Sequence, residues 1–281
     1  MAVKNRMRVI FLVSLLVLSL SLTACGQPGT TPSNAAVSGL SGSITLSGSN
    51  TVQPLAEILA NAFTALHPRV RIVVQGGGSS VGIKAVNDGT VDLGSSSREL
   101  TASDPKLVVF PLARDGIAVI VNPQNPVNNL SKIQIRDIYS GKITRWSQVN
   151  GTDQPVTVVA REEGSGTRTA FEEMIMGDQP VTRGAILQSS NGALLQVVRA
   201  DVNAIGFISF GFLADKSVKG LSIDGVEATL ANARSGAYPV VRALYFLTKT
   251  EPTGLVKDFL DFCAGPEAQK LITSEGYVSV H

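Results

Sequence analysis

Three short segments rich in serine, threonine and glycine contain the residues best suited to chemistry. Each stands between a strand-like and a helix-like stretch: Ser47-Gly48-Ser49-Asn50-Thr51, Gly78-Ser79-Ser80-Val81-Gly82 and Gly164-Ser165-Gly166-Thr167. The amino end of a helix presents unpaired N–H groups, and small hydroxyl side chains there add O–H donors without crowding. Each segment alone can also be a simple helix cap. Together with Arg161, the three segments predict a donor-rich, glycine-lined pocket for a small tetrahedral oxyanion.

The second segment also satisfies the G-x-S-x-G pattern of a hydrolase, with Ser80 as the nucleophile. In that fold the histidine base follows the serine in the sequence. The chain has only His67, which precedes the segment, and His281, its last residue. Anion binding is therefore the favoured hypothesis, and a secreted serine hydrolase using Ser80 is the enzyme alternative.

Motifs for other ligands are absent from these segments. Neither G-x-G-x-x-G nor G-x-x-x-x-G-K-[ST] occurs there, and no His, Cys and carboxylate cluster suggests a metal site. No dense block of Lys and Arg appears in the sequence. We therefore expect no nucleotide, metal, cofactor or nucleic acid as a partner.

The amino terminus has the pattern of an export signal. Three basic residues precede an apolar run from Val9 to Leu22, which is short for a membrane span. Leu22-Thr23-Ala24-Cys25 resembles the lipobox of bacterial lipoproteins, in which the cysteine is acylated. We expect a signal peptide over 1–24 and a flexible, lipid-anchored tether over 25–43.

Removal of residues 1–24 changes the formal net charge from +2 to about −1, because it removes Lys4, Arg6 and Arg8 and no acidic residue. The net positive charge of the chain therefore comes from the signal peptide. Cys263 is then the one cysteine outside the anchor. Because it shares a helical face with apolar residues, we expect it to be buried and unpaired.

From Ile44 the chain alternates β-rich and helical stretches, which predicts an α/β architecture with mostly parallel sheets. The segment LVVFPLARDGIAVIVNP is interpreted as two apolar runs broken by Arg114-Asp115-Gly116, and a second α/β cycle begins beyond Pro123. Two lobes joined by chain crossings leave a ligand cleft between them. We expect 44–115 with 243–281 to form lobe 1 and 116–242 to form lobe 2.

The chain resembles a known family, the extracytoplasmic phosphate-binding proteins of phosphate ABC transporters (PstS family). The resemblance covers nearly the whole mature chain, and GKITRW followed by REEGSGTR is its most specific pair of motifs. The segments that carry it are SGSNTVQPLAEILANAF, QGGGSSVGIKAV, VDLGSSSREL, ARDGIAVIVNP, IRDIYSGKITRWSQVNG, VVAREEGSGTRTAFEEM and EAQKLITSEGYV. The resemblance implies a two-lobe periplasmic-binding-protein fold of the type II kind.

The resemblance also implies roles for individual residues. Phosphate would bind at the first helix start, through Thr51 and the backbone around Ser49, Asn50 and Val52. Ser79 would be the donor of the second segment, with Ser80 as a cap. In lobe 2, Arg161 would pair with phosphate, and a hydroxyl or N–H group would come from each of Ser165, Gly166 and Thr167.

One position departs from the family pattern. Many relatives have an aspartate at the position of Ser97, where it accepts the proton of phosphate. Asp115 is the candidate replacement, and a hinge or turn aspartate that caps backbone N–H groups is the alternative. Arg98 either neutralises the anion or forms a structural ion pair. Trp146 is expected in the core of lobe 2.

The expected function is therefore non-enzymatic binding of inorganic phosphate outside the cytoplasmic membrane and its delivery to ABC permease subunits. Another tetrahedral oxyanion, such as sulfate or molybdate, is the alternative ligand. We expect a monomer attached to the cell membrane through lipidated Cys25.

Overall fold

The computed structural model describes residues 39–214 and 216–280. Within them the strands are β1 Ser41–Gly48, β2 Arg69–Gln75, β3 Leu93–Ser96, β4 Val108–Val121, β5 Asn129–Leu130, β6 Thr157–Arg161, β7 Ile186–Gln188, β8 Ala204–Ser209, β9 Lys219–Gly220, β10 Ser222–Ile223 and β11 Val241–Thr248. The α-helices are α1 Gln53–Leu66, α2 Ser79–Asp88, α3 Lys132–Tyr139, α4 Gly166–Phe171, α5 Asn191–Ala200, α6 Leu230–Ser235, α7 Gly254–Ala264 and α8 Pro266–Ser274. A π-helical turn, Glu172–Met176, continues α4.

One sheet runs through the molecule in the order β2-β1-β3-β11-β4-β8-β6-β7, with β9 also paired to β4. The pairs β1–β2 and β1–β3 on one side, and β6–β7 and β6–β8 on the other, are parallel. The central strands β11 and β4 pair antiparallel with each other and with their outer neighbours. Parallel strands need long crossovers, which the intervening helices supply.

Two large apolar cores lie along this sheet. The first contains buried residues from Ile44 to Ala113 and from Leu244 to Tyr277, and we call the part packed around it lobe 1. The second contains residues from Ile117 to Val240 together with Val278, and we call the part packed around it lobe 2. Trp146 is fully buried in the core of lobe 2, as the sequence predicts. Cys263 is buried and free, also as expected.

The crossing between the lobes corrects one sequence interpretation. The Arg114-Asp115-Gly116 triplet does not break the strand, because β4 is a single strand of 14 residues. Its first part pairs with β11 in lobe 1, and residues from Ile117 onward pair with β8 in lobe 2. A charged residue is tolerated inside this buried strand because Asp115 faces Arg242 on β11, its register partner. Paired charge can be buried where an isolated charge cannot.

The helices that start beside the cleft have local causes. Pro54 stands in the first turn of α1, where its missing N–H costs nothing. Gly78 precedes α2 with a φ of 102°, a conformation that glycine adopts without strain. Ser165 caps α4 by accepting the N–H of Arg168. Within the described residues, no helix is both long enough and apolar enough to cross a membrane.

Candidate functional site: a buried polar cluster between the lobes

A cluster of buried polar side chains lies where the two lobes meet. It forms at the carboxyl ends of β1, β3 and β6, and at the starts of α1, α2 and α4. Its members are Ser49, Thr51, Ser79, Ser97, Asp115, Arg161, Ser165, Thr167, Asn191, Ser209 and Arg242, all at most 5% exposed. Such a concentration of polar groups away from water requires partners for each of them.

Three serines from lobe 1 are linked to one another. Ser49 Oγ accepts the N–H groups of Thr51 and Val52 at the start of α1, at 3.2 and 3.4 Å, and donates to Ser97 Oγ at 2.9 Å. Ser79 Oγ accepts the N–H of Ser97 at 3.0 Å and lies 3.3 Å from Ser97 Oγ. The first two segments and the loop after β3 therefore converge on one point.

The third segment reaches the same point from lobe 2. Thr167 Oγ1 lies 2.9 Å from Thr51 Oγ1 across the cleft. Gly166 is so close to lobe 1 that a Cβ atom there would lie 2.3 Å from Ser79 Oγ and 2.6 Å from Ser97 Oγ. Only glycine permits this approach.

Two further bonds join the lobes at the rim of the cluster. The N–H of Ser80 donates to the carbonyl of Gly164 at 3.2 Å. The Asn50 amide donates to the carbonyl of Ser189 at 2.8 Å, while its oxygen accepts the N–H of Gly77. The Asn50 side chain therefore connects the lobes and does not bond to the hydroxyl cluster.

Arg161 is the buried cation of lobe 2. Its Nε donates to the carbonyl of Gln188 at 3.1 Å and one NH2 group donates to that of Ser189 at 2.8 Å. Its other terminal nitrogen, NH1, has no hydrogen-bond partner although it is buried. Burial and the nearby positive charge of Arg242 lower the pKa of Arg161 to about 10, so it stays protonated at neutral pH. A buried donor without a partner indicates a place for an acceptor.

Asp115 and Arg242 form a buried ion pair at the crossing between the lobes. Asp115 Oδ2 accepts from Nε and NH2 of Arg242 at 3.1 and 2.8 Å. Asp115 Oδ1 accepts from the Ser209 hydroxyl at 2.8 Å and the Phe210 N–H at 3.1 Å. Burial raises the pKa of Asp115, and these four donors act in the opposite direction by stabilising the carboxylate.

This geometry corrects the sequence-based role of Asp115 as acceptor of a ligand proton. A carboxylate has about four lone-pair positions. All four are occupied by protein donors here, so no position is left for a ligand O–H. The alternative role, an aspartate that caps backbone N–H groups at the crossing, fits the contact with Phe210.

The structure corrects the expected role of Ser80 and decides between the two alternatives for Arg98. Ser80 is not a cap, because Gly78 occupies the N-cap position of α2 and Ser80 lies one residue inside the helix, exposed. Arg98 forms an ion pair with Asp104 at 2.6 Å. Its guanidinium is therefore engaged in lobe 1 by a carboxylate of its own, and this resolves the choice between anion contact and ion pair.

The hydrolase alternative requires a histidine beside Ser80. His67 packs against Phe63 at the far end of α1, with the two rings tilted by 54° and their centroids 4.6 Å apart. Since α1 has 14 residues, that end lies about 21 Å from the cleft end. His281 lies outside the described residues. Among the described residues, no group of three or more His, Cys, Asp or Glu could hold a metal.

Three members of the cluster escaped the sequence reasoning: Asn191, Ser209 and Arg242. The Asn191 amide donates to Thr51 Oγ1 at 3.0 Å, and Arg242 NH2 donates to the same atom at 3.3 Å. Asn191 and Ser209 stand at a helix start and a strand end, the same signal that identified the three segments. Arg242 could have been identified from the sequence only as a charged residue within an otherwise apolar strand.

The remaining expected residues are placed as follows. The structure brings Ser49, Thr51, Ser79, Ser97, Gly166 and Thr167 into direct contact, and it places Arg161 and Ser165 at the lobe 2 side of the same cluster. Ser165 Oγ accepts the N–H of Arg168 and keeps its own proton for donation. Cys25, the expected lipidation site, lies outside the described residues.

Comparison with known proteins gives a consistent result. A family model described as a PBP superfamily domain matches residues 33–267. The phosphate-binding protein PstS of Bacillus subtilis (strain 168) is 36% identical over 267 residues, which cover 92% of this chain and 89% of that protein. The protein of the same name from Pseudomonas aeruginosa PAO1 is 28% identical over 278 residues, covering 88% and 86%.

Solved structures are similar over most of the chain. A substrate-binding protein from Clostridium perfringens with bound phosphate, assigned to a phosphate ABC transporter, has a TM-score of 0.83 and 38% identity, covering 85% of this chain and 100% of that one. An ABC-type phosphate transport receptor from Vibrio cholerae has a TM-score of 0.72 and 38% identity, covering 84% and 99%. The expected two-lobe fold is confirmed.

Proposed function

Because this chain belongs to the PstS family of phosphate-binding proteins within the PBP superfamily, we propose that it binds inorganic phosphate outside the cytoplasmic membrane and delivers it to an ABC-type permease. The observation that carries the proposal is the unpartnered NH1 of Arg161, buried beside a cluster of hydroxyl groups. The similarity to proteins named for phosphate binding and to a phosphate-bound structure supports the choice of ligand.

The charges of the cluster favour an anion. Among its described members, Arg161 and Arg242 are cations and Asp115 is the one carboxylate, which Arg242 already neutralises. Arg161 has no carboxylate as a hydrogen-bond partner, and the nearby charge of Glu162 offsets its charge only in part. A phosphate ion would compensate it and gain charge-assisted hydrogen bonds, which are stronger than neutral ones.

The two lobes would divide the binding. Lobe 1 would offer hydroxyl and backbone donors from Ser49, Thr51, Ser79 and Ser97. Lobe 2 would offer Arg161 and the start of α4, Ser165–Thr167. Gly166 lies against Ser79 and Ser97 of lobe 1 in this structure, and we propose that closure around the ion brings the two donor sets together in this way. We propose that lobe 1 comprises 44–115 with 243–281 and lobe 2 comprises 116–242, which fits the division of the two apolar cores.

The ligand is tested by calorimetric titration of the anion-stripped mature protein with phosphate and then with sulfate and molybdate. We expect phosphate to bind with a 1:1 stoichiometry and the strongest affinity. Binding of sulfate or molybdate alone would transfer the proposal to that ion. No heat with any of the three would refute anion binding by this cluster.

The second part of the proposal concerns attachment. We propose that residues 1–24 are a signal peptide, that Cys25 is lipidated, and that a tether follows it. The tether is shorter than the expected 25–43, because 41–43 belong to β1 and pair with β2 in lobe 1. Cys25→Ser should then release the protein from membranes without a change in phosphate affinity, since a processed lipoprotein cysteine supplies more than one acyl chain. Equal membrane retention of the variant would rule out this anchor.

We further propose that the protein is not an enzyme and acts as a monomer. The exposed position of Ser80, away from His67, supports the first point. Turnover of a chromogenic ester that Ser80→Ala abolishes would restore the hydrolase alternative. Sedimentation of the mature protein without its tether tests the second point.

A further inference from the structure

The Thr51 hydroxyl is held in one orientation by two groups that can only donate toward it. The Asn191 amide nitrogen lies 3.0 Å and Arg242 NH2 lies 3.3 Å from Thr51 Oγ1. A hydroxyl oxygen has two lone pairs and one proton. Both lone pairs are used by these donors, so the proton of Thr51 points to the remaining neighbour, Thr167 Oγ1, at 2.9 Å.

Arg242 in turn is fixed by protein groups. Nε and NH2 donate to Asp115, and NH1 donates to the carbonyl of Ser97 at 3.0 Å. Four of its five N–H groups are thus committed to Asp115, Ser97 and Thr51. In contrast to Arg161, this guanidinium is engaged almost entirely by the protein. Its direct contacts are therefore with protein groups, and through these groups it can position donors for a ligand.

We propose that Arg242 is a positioning residue of the anion site that, together with Asn191, fixes the Thr51 hydroxyl as a donor and sets the direction of the Thr51–Thr167 hydroxyl chain. In this series of hydrogen bonds the Arg242 guanidinium and the Asn191 amide donate to the Thr51 hydroxyl, which donates to Thr167. The Thr167 hydroxyl can then donate its proton to an anion oxygen. Hydrogen bonds in such a chain strengthen one another in a medium of low dielectric constant.

The serines of lobe 1 show the same order and support this reading. Ser49 Oγ accepts hydrogen bonds from two backbone N–H groups at the start of α1, and its hydroxyl donates a hydrogen bond to Ser97 Oγ. Both series of hydrogen bonds therefore begin at N–H donors, and each hydroxyl donates its proton to the next hydroxyl of the cluster. The hydroxyl groups therefore present donors to an anion, and Asp115 contributes indirectly, by holding Arg242 in place.

This inference rests on the proposed function, and a mutant cycle separates the two. The Asp115→Asn and Arg242→Met pair variant removes the ion pair without changing net charge or leaving a buried carboxylate unpaired. Thr51→Val removes the hydroxyl without changing the shape of the side chain. The four proteins of the cycle are wild type, the pair variant, Thr51→Val and the combination, each stripped of anion and titrated with inorganic phosphate.

We expect the pair variant and Thr51→Val each to weaken phosphate binding about tenfold, which corresponds to about 1.4 kcal/mol. The combination should be no weaker than Thr51→Val alone, within about twofold, because Arg242 acts through Thr51. In a Thr51→Ser background, which keeps the hydroxyl, the pair variant should again weaken phosphate binding about tenfold. A purely structural ion pair would not show this dependence on one hydroxyl.

Additive losses, about 100-fold in the combination, would overturn the inference while leaving phosphate binding intact. No binding by the wild-type protein would instead refute the proposed function. If thermal unfolding shows that the pair variant does not fold, Arg242→Lys takes its place in the cycle. Lysine keeps the charge beside Asp115 but has a single nitrogen, so it cannot hold Asp115, Ser97 and Thr51 together.

Discussion

The two sides of the cleft hold their polar groups in different ways. On the lobe 1 side, Ser49, Ser79 and Ser97 are neutral, and each is already bonded to a neighbour. On the lobe 2 side, Arg161 is charged, and one of its terminal nitrogens has no partner. The hydroxyl groups of the first side therefore have protein partners in this structure, whereas a charged donor group of the second side has none.

This difference separates two tasks of an anion site. Neutral hydrogen bonds contribute about 0.5–1.5 kcal/mol each and are directional, so the hydroxyls of lobe 1 define the position and shape of the site. Hydrogen bonds to a charged group contribute about 1.5–3 kcal/mol, so we expect Arg161 to contribute more to the affinity than any one hydroxyl. Substitutions on the two sides should therefore differ in size.

The largest effect is expected at Arg161. Arg161→Gln should weaken phosphate binding by about 100-fold or more, because about two charge-assisted bonds are lost and no mobile cation can replace them. Calorimetric titration measures the loss. Arg145→Gln is the matched control, because Arg145 is an exposed arginine of the same lobe, paired with Asp153. Similar losses in both variants would show that long-range charge, not the buried contact, holds the anion.

The same substitution should have the opposite effect on the empty protein. Burial beside Arg242 lowers the pKa of Arg161, so folding disfavours its charged form when no anion is present. The anion-stripped Arg161→Gln variant should therefore unfold at the same temperature as wild type or at a higher one, and phosphate should no longer raise that temperature. A lower unfolding temperature would mean that the carbonyl contacts of Arg161 outweigh its desolvation.

The next effect is expected where the two sides touch. Gly166→Ala should weaken phosphate binding by about tenfold or more, since its Cβ would lie 2.3 Å from Ser79 Oγ and prevent full closure. Gly184→Ala is the control in the same lobe, where the nearest atom lies 3.9 Å away. Scattering of the phosphate-bound variant should show a more open shape. Unchanged affinity would imply that the lobes need not meet at Gly166.

A smaller effect is expected on the lobe 1 side. Ser79→Ala and Thr51→Ala should each weaken phosphate binding about two- to tenfold, the range for a neutral hydroxyl donor. Titration alongside Arg161→Gln gives the comparison directly. Losses equal to that of Arg161→Gln would remove the distinction between the two sides, and would place the anion closer to lobe 1.

The smallest effect on affinity is expected for the ion pair next to Ser97. Asp104→Asn should leave phosphate affinity within about twofold but destabilise the fold by about 1–3 kcal/mol at pH 7. Arg98 holds the pKa of Asp104 well below its usual range. The folded pKa is depressed, so the stabilisation is complete above the unfolded pKa of about 3.9 and declines as pH falls toward the folded value.

Urea unfolding at pH 7 and at several acidic pH values measures this difference. The gap between wild type and Asp104→Asn should narrow continuously below about pH 4. A gap that is constant with pH would show that the pair acts through packing rather than charge. A large loss of phosphate affinity would reinstate Arg98 as part of the anion site.

Much of the site could be predicted because its signals are local. A serine or threonine between a strand and a helix has to lie at the end of both, and parallel strands bring their carboxyl ends to the same edge of a sheet. The three segments therefore converge, as Ser49, Ser79 and Thr167 illustrate. The burial of Trp146 and of Cys263 likewise follows from apolar periodicity along the chain.

Other features depended on partners far away in the sequence. Asp115 and Arg242 are 127 residues apart, and nothing near either one shows that they face each other on adjacent strands. Without that pairing, Asp115 was interpreted as a break in β4 and as a free acceptor. The sequence predicts a ligand role only for the backbone at Asn50, and the partner of its side-chain amide, the carbonyl of Ser189, lies 139 residues away.

The sequence by itself thus determined the kinds of donors and their arrival at one edge of the sheet, because helix starts and strand ends are set by local chemistry. Tertiary structure alone decided which donors are already satisfied. Whether a donor is satisfied depends on which partner each lone pair and each proton of the cluster has. In a buried cluster the groups compete for the same few neighbours, and tertiary structure sets those neighbours. Arg161 and Arg242 are the same residue type, so only their surroundings distinguish them. Arg242 is bonded to protein groups, whereas NH1 of Arg161 has no protein partner and is available to an anion.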